Sequence, residues 1–332
     1  MVRRSPSGRI PQWVMDEALG LPDTAPSWRG GAVDTAARPG HRRRPNQGRS
    51  GTYQNRRRRV GRWLGVSALA VTLVAGAVWA QTSGPASPPQ AGHGAMPVPT
   101  PGREAADAPL GEPAPVAVPG DAWRPLRTQA DGSTPVAWDP CRPIHYVTRP
   151  DAAPDGAAQA LQLAIAQVSS ATGLQFIDDG ISTEGTSASR ELFQPERYGD
   201  RWAPVLISYV STAEAPNLAG GVVGQAGPDS VTVLQPTTWD RLTRQPGEPT
   251  SVYVSGIVQI DAVQAREILA GPDGQRAMVA VFEHELGHLV GLAHVDDPNQ
   301  LMYPETRQQR GYASGDLTGL AAVGSGRCVP EV

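Results

Sequence analysis

Three of the six histidines in this 332-residue chain fall within eleven positions, HELGHLVGLAH, residues 284–294. Ala277, Val281, Leu286 and Leu289 recur at helical spacing ahead of and within this stretch, so residues from about 274 to 290 are expected to form a helix. Positions four apart share a helix face, one turn above each other, which directs His284 and His288 to one point. If that helix continued, His294 would lie roughly 15 Å beyond His284, too far to share anything with it. Gly291 removes the difficulty, because glycine takes the left-handed conformation that ends a helix and turns the chain back. The pattern therefore demands a helix followed at once by a tight reversal.

The chemistry follows from the residue types. Three neutral imidazoles around an open fourth position form the ligand set of a catalytic zinc, whereas a structural zinc takes four protein ligands, usually with thiolates. Neither Cys141 nor Cys328 has a spacing suited to that second arrangement. Glu285, beside the histidine face, is placed to take a proton from a water at the open position and pass it to a departing amine. The reaction class implied is hydrolysis of a peptide bond, with one zinc ion as cofactor and a protein or peptide as substrate. The contrary reading is a catalytically silent binding or signalling module; retention of the glutamate speaks against it.

HELGHLVGLAH followed by LMYPE resembles the metzincin pattern H-E-x-x-H-x-x-G-x-x-H with its downstream methionine turn, and HVDDPNQLMYP is most similar to the matrixins. The resemblance implies zinc on His284, His288 and His294, Glu285 as general base, and Met302 as the hydrophobic floor under the metal. It implies an α+β fold: a five-stranded mixed, mostly parallel twisted sheet with the active-site helix beneath a shallow cleft, and substrate pairing along an edge strand. NLAGGVVGQAG, residues 217–227, is the expected edge, and SGDLTGLAAVG, residues 314–324, resembles the closing helix. Similarity in the order of elements covers residues 121–332; close motif identity covers residues 281–304. Tyr303 follows Met302 directly and is not counted as a ligand. No histidine–aspartate cluster for a second zinc stands out, calcium is carried by the resemblance without assigned ligands, and no linker cysteine is present to act as a thiol latch.

Ahead of this domain the composition changes three times. Residues 1–62 hold 14 arginines against 4 acids and little apolar periodicity, so a disordered tail is expected. Residues 63–80, WLGVSALAVTLVAGAVWA, are uncharged, and as a helix they span about 27 Å, enough for the hydrocarbon layer of a membrane. RRRRVGR abuts that run on one side and the first charge on the other is Arg103, which places the N-terminus in the cytoplasm and the domain outside. The basic run is thus read as a topology signal, and no nucleic-acid partner is expected. Cleavage near Ala80 with secretion is the competing reading of the same segment. Ten prolines lie between residues 81 and 120, the composition of an extended spacer. Cys141 and Cys328, an even pair in an exported chain, read as one disulfide clipping the domain's beginning to its end, or else as two buried thiols.

Within residues 121–332 the expected elements are a strand over 142–149, a helix over 155–173 ended by Gly173, strands over 174–179 and 203–211 flanking a long polar loop, and a strand over 251–261. GGVVGQAG and SVTVLQP suggest short edge strands or a hairpin. DAVQAREILAG is a short helix closed by Gly271. His145, with no ligand-type residue at a fixed spacing, is read as structural.

Overall fold

The computed structural model describes residues 97–187, 189–236, 242–243, 245, 247–305 and 311–332. The tail 1–62, the apolar run 63–80 and the first part of the proline-rich segment lie outside the described residues. Among the described residues no helix is long and apolar enough to cross a membrane.

Among the described residues the strands and α-helices follow in the order β1 (Ala137–Trp138), β2 (Ile144–Arg149), α1 (Ala157–Thr172), β3 (Phe176–Ile181), the single turn α2 (Pro195–Tyr198), β4 (Val205–Val210), β5 (Gly224–Gln235), β6 (Glu248–Asp261), α3 (Ala262–Leu269), α4 (Gly274–Val290) and α5 (Ser314–Gly324). The long strands run in the order β5-β6-β4-β2-β3, and β1 pairs with β6. All pairings are parallel except β5–β6. The fold is therefore α+β with a mostly parallel sheet, and it carries a two-residue strand beyond the five expected.

Alternation along the strands divides their side chains between two faces. Ile144 and Tyr146 of β2, Val205, Ile207 and Tyr209 of β4, and Val258 and Ile260 of β6 enter the main core with Ala160, Ala164, Ile165 and Val168 of α1 and Met278, Phe282, Leu286 and Leu289 of α4. The alanines of α1 let it approach α4 closely, and its end is set by Gly173 at φ 73°. Val252 and Val254 of β6 belong to a second, smaller cluster with Val329 and Val332. The pairing of β5 with β6 shifts from Asp229↔Ser255 to Ser230↔Tyr253, which leaves Val254 without a partner and flips the in–out parity of β6. β5 reads in sequence as two fragments because Gly227, Pro228 and Asp229 stand between its apolar stretches. It is one twelve-residue strand, with Pro228 tolerated because the strand lies at an edge.

The proline-rich segment differs from its expectation. Residues 97–120 do not hang free as a spacer but lie along the domain as a strap. Gly102 donates its backbone N–H to the Val332 carbonyl, Ala106 to Cys141, Leu110 to Pro140 and Ala114 to Ser170, while Gly120 donates to Thr318 Oγ1. The strap continues to Leu126, whose N–H donates to Gly291 O, and to Arg124, whose carbonyl accepts from Ala293 N. Cys141 and Cys328 are disulfide-bonded, so the start and end of the domain are joined beneath the strap.

The long polar loop after β3 is held from within. Arg190 donates Nε to Glu184 Oε1 at 2.8 Å and Nη2 to Glu184 Oε2 at 3.0 Å, and both side chains are buried. Arg190 also reaches Ser255 Oγ and Pro204 O, both at 2.8 Å, tying the loop to β6 and to the start of β4. His145 is structural as expected: its Nδ1 lies 3.0 Å from Asp179 and 2.9 Å from Arg201 Nη1.

Candidate metal centre

Helix α4 is buried along nearly its whole length and ends at Val290, where Gly291 has φ 115°. The N–H of Leu292 reaches back to Gly287 O at 2.9 Å, closing the last turn in the manner of a left-handed cap. Three residues later His294 returns over the helix. Its Nε2 lies 3.1 Å from His284 Nε2 and 3.0 Å from His288 Nε2. The reversal at Gly291 therefore does what its place in the sequence requires.

The opposite nitrogens of two of these rings are already engaged. His284 Nδ1 donates to Leu301 O at 2.7 Å and His288 Nδ1 donates to Leu292 O at 2.8 Å. A carbonyl can only accept, so in each neutral ring the proton sits on Nδ1 and the lone pair on Nε2 faces the other histidines. Burial, then the charge of His294, lowers His284 from its ordinary range to about 4, against the pull of the Leu301 hydrogen bond. Burial, then the charges of His284 and His294, puts His288 well below its ordinary value, and burial lowers His294. Two Nε2 lone pairs thus face the third imidazole nitrogen at about 3 Å, a spacing at which one cation can be held by all three rings. Nitrogens bound at about 2.0–2.1 Å to a tetrahedral zinc would be separated by about 3.3 Å, close to what is observed. The donor set fits zinc.

The loop after the third histidine supports the first. Leu301 and Met302 donate their N–H groups to the Asp316 carboxylate at 2.6 and 3.2 Å, and Ala313 N donates to the same group at 2.9 Å. Gln300 Oε1 accepts from Gly315 N and Asp316 N, capping α5 in place of the alanine at its N-cap. Met302 is buried, and a methyl group on Gly287 would fall 2.6 Å from its sulfur, so this glycine admits Met302 against α4. Tyr303 provides no contact to the three histidines among the described interactions.

Glu285 lies on α4 between the two helical histidines and is 3% exposed. Its Oε2 is buried with no hydrogen-bond partner, and burial raises its carboxyl to about 8. A second acid, Glu283, is fully buried with neither oxygen bonded; burial, then the charge of Asp316, raises it to about 8. Its own carbonyl accepts from Tyr312 Oη at 2.5 Å.

The structure brings together His284, His288 and His294, buries Glu285 on α4 and Met302 against Gly287 of that helix, and gives Gly291 the turn. Cys141 and Cys328 lie elsewhere, as a disulfide. Among the described residues the other group with metal-ligand side chains in proximity is Asp139 with those two bonded cysteines, and calcium keeps no assigned ligands. Sequence reasoning missed Asp316, which looks like an ordinary acid in a helix's first turn, and Gly224 of β5, whose Cα lies against the Glu285 side chain. No signal local to either position distinguishes it.

Comparison with known proteins gives one family match: the matrixin model covers residues 238–321, which includes all three histidines, Glu285, Met302 and Asp316. No curated protein matches the chain.

Proposed function

We propose that this chain is a zinc metalloendopeptidase of matrixin type that cleaves proteins outside the cytoplasm, tethered to a membrane by residues 63–80, with Glu285 as the general base. The observation that carries the reading is the pair of Nδ1–H···O=C bonds, to Leu301 and Leu292, which leave two Nε2 lone pairs facing the third histidine. His284, His288 and His294 would hold the zinc, which when bound supplies a Lewis acid that lowers the pKa of water and polarises a carbonyl oxygen.

The chain's own groups divide the remaining work. Glu285 accepts the proton of the attacking water on its carboxylate and returns it to the leaving amine nitrogen; a carboxyl raised by burial suits both directions of transfer near neutral pH. The Leu301 and Leu292 carbonyls fix the ring orientation and tautomer of two histidines. The free edge of β5, whose first residues lie beside Glu285, is suited to hold an extended peptide by strand addition. Membrane tethering rests on the uncharged run 63–80 and the arginines before it; release by cleavage near Ala80 would give the same activity in secreted form.

The test is cleavage of a quenched peptide library by the full 332-residue chain, with chelator and with zinc restored. Cleavage lost on chelation, recovered with zinc and reduced by about 10²–10⁴-fold in Glu285→Gln at unchanged zinc content is expected. Cleavage indifferent to chelator, or equal in Glu285→Gln, would overturn the mechanism. Protease accessibility of residues 97–332 on intact cells tests the topology.

A further inference from the structure

β5 begins at Gly224, paired with Ile260 across the antiparallel ladder. A methyl group at Gly224 would lie 2.7 Å from Glu285 Oε1 and 2.9 Å from both its Cδ and Cγ, closer than nonbonded carbon and oxygen atoms tolerate. The backbone of the edge strand is thus the wall against which this side chain rests. Among the described residues no hydrogen bond holds Oε2, the carboxylate's other oxygen, which is buried. The wall itself is firm. Asp261 N donates to Val223 O and Gln264 Nε2 to Val222 O, both at 2.8 Å, fixing the residues that lead into the strand.

Gly224 has no positive φ, unlike Gly220 and Gly221 just before it at 85° and 94°. Its backbone would accept any L-residue, so the requirement for glycine here is the space alone. Resting on the reading of Glu285 as general base, we propose that Gly224 is a positioning residue: its missing side chain sets where the Glu285 carboxylate stands relative to the three histidines. A methyl group there would displace Cγ, Cδ and Oε1 together, because Glu285 is enclosed on its other sides. A displacement near 1 Å at a proton-transferring group costs on the order of 100-fold in rate.

Two measurements on the full chain test this. In zinc-loaded protein, Gly224→Ala should lower kcat about 10- to 100-fold while KM stays within about threefold and zinc content stays at the parent value. In chelated protein, thermal melting is compared in a four-way cycle with Glu285→Ala. Gly224→Ala should lower the midpoint in the parent by several degrees and leave it unchanged or raised once the glutamate is truncated, because the methyl group then has room. Gly227→Ala, on the same strand with nothing within 4 Å of the added methyl, should leave the melting midpoint of the parent unchanged or raised. Equal midpoint losses in both Glu285 backgrounds, or an unaltered kcat in an active parent, overturn the assignment. Inactivity of the parent itself would instead sink the peptidase reading, and the melting cycle would still report on the contact.

Discussion

Asp316 accepts the backbone N–H of Leu301 at 2.6 Å, and Leu301 in turn accepts His284 Nδ1–H at 2.7 Å. A buried carboxylate near the start of the last helix thereby aims a histidine on another helix through one intervening residue. Asp316→Asn turns an amide donor toward a backbone donor, loosening Leu301 and Met302 together. Zinc affinity should fall about 10- to 100-fold, the usual cost of losing an outer partner of a ligand. Competition with a chromophoric chelator measures it; an unchanged dissociation constant would break the chain of contacts as an argument.

Residues 97–120 belong to the folded domain. Cutting at 121 removes the donors that reach Val332 O, Cys141 O, Pro140 O, Ser170 O and Thr318 Oγ1. Each such bond contributes about 0.5–1.5 kcal/mol net. Even a 2 kcal/mol total loss shifts the midpoint by about 4–8 °C for a domain of this size. A fragment of residues 97–332 should therefore melt several degrees above one of residues 121–332. Identical midpoints would mean the strap rests on the surface without stabilising it.

This strap shows where sequence reading ends. Prolines at 101, 109, 113 and 115 dictate extended backbone, but extended backbone is the same whether the chain floats or lies along a surface; only the partners on α1, α5 and the disulfide loop decide. The helix 274–290 and its break at Gly291 were legible because apolar period and glycine conformation are local properties. The zinc group was legible for the same reason, its three histidines lying within eleven residues. Gly224 and Asp316 were not, because each acts on a residue 61 or 15 positions away through a contact that the fold alone creates. β5 appeared as two pieces because Gly227, Pro228 and Asp229 break its apolar pattern without interrupting the strand.

The loop between β3 and β4 is stapled by charge. Burial alone would raise the Glu184 carboxyl, yet hydrogen bonds from Arg190, Gln194 and Tyr198 outweigh it and hold the group below its usual value. Arg190→Met leaves that carboxylate buried and unpaired, at a cost of about 3–5 kcal/mol. Adding Glu184→Leu to Arg190→Met should restore much of the loss, since two apolar side chains replace the pair. Urea melts of the two variants against the parent check this; a double variant less stable than Arg190→Met alone would refute it.

With chelator present, the acids around the histidines should make stability fall as pH rises from about 6.5 to 8. Burial raises Glu285 to about 8, and burial with the charge of Asp316 raises Glu283 equally, while both return to about 4.5 on unfolding. Over that window the folded chain keeps protons that the unfolded chain has released, so raising the pH favours unfolding. His284 acts oppositely, but only below its unfolded pKa of about 6.5, because it is neutral in both states above that. The slope should approach about 1.4 kcal/mol per pH unit for each carboxyl. Glu285→Gln removes one of the two and should halve the fall between pH 6.5 and 8. Urea midpoints across that range measure it, and a stability that climbs with pH in the chelated parent would show that these carboxyls ionise freely.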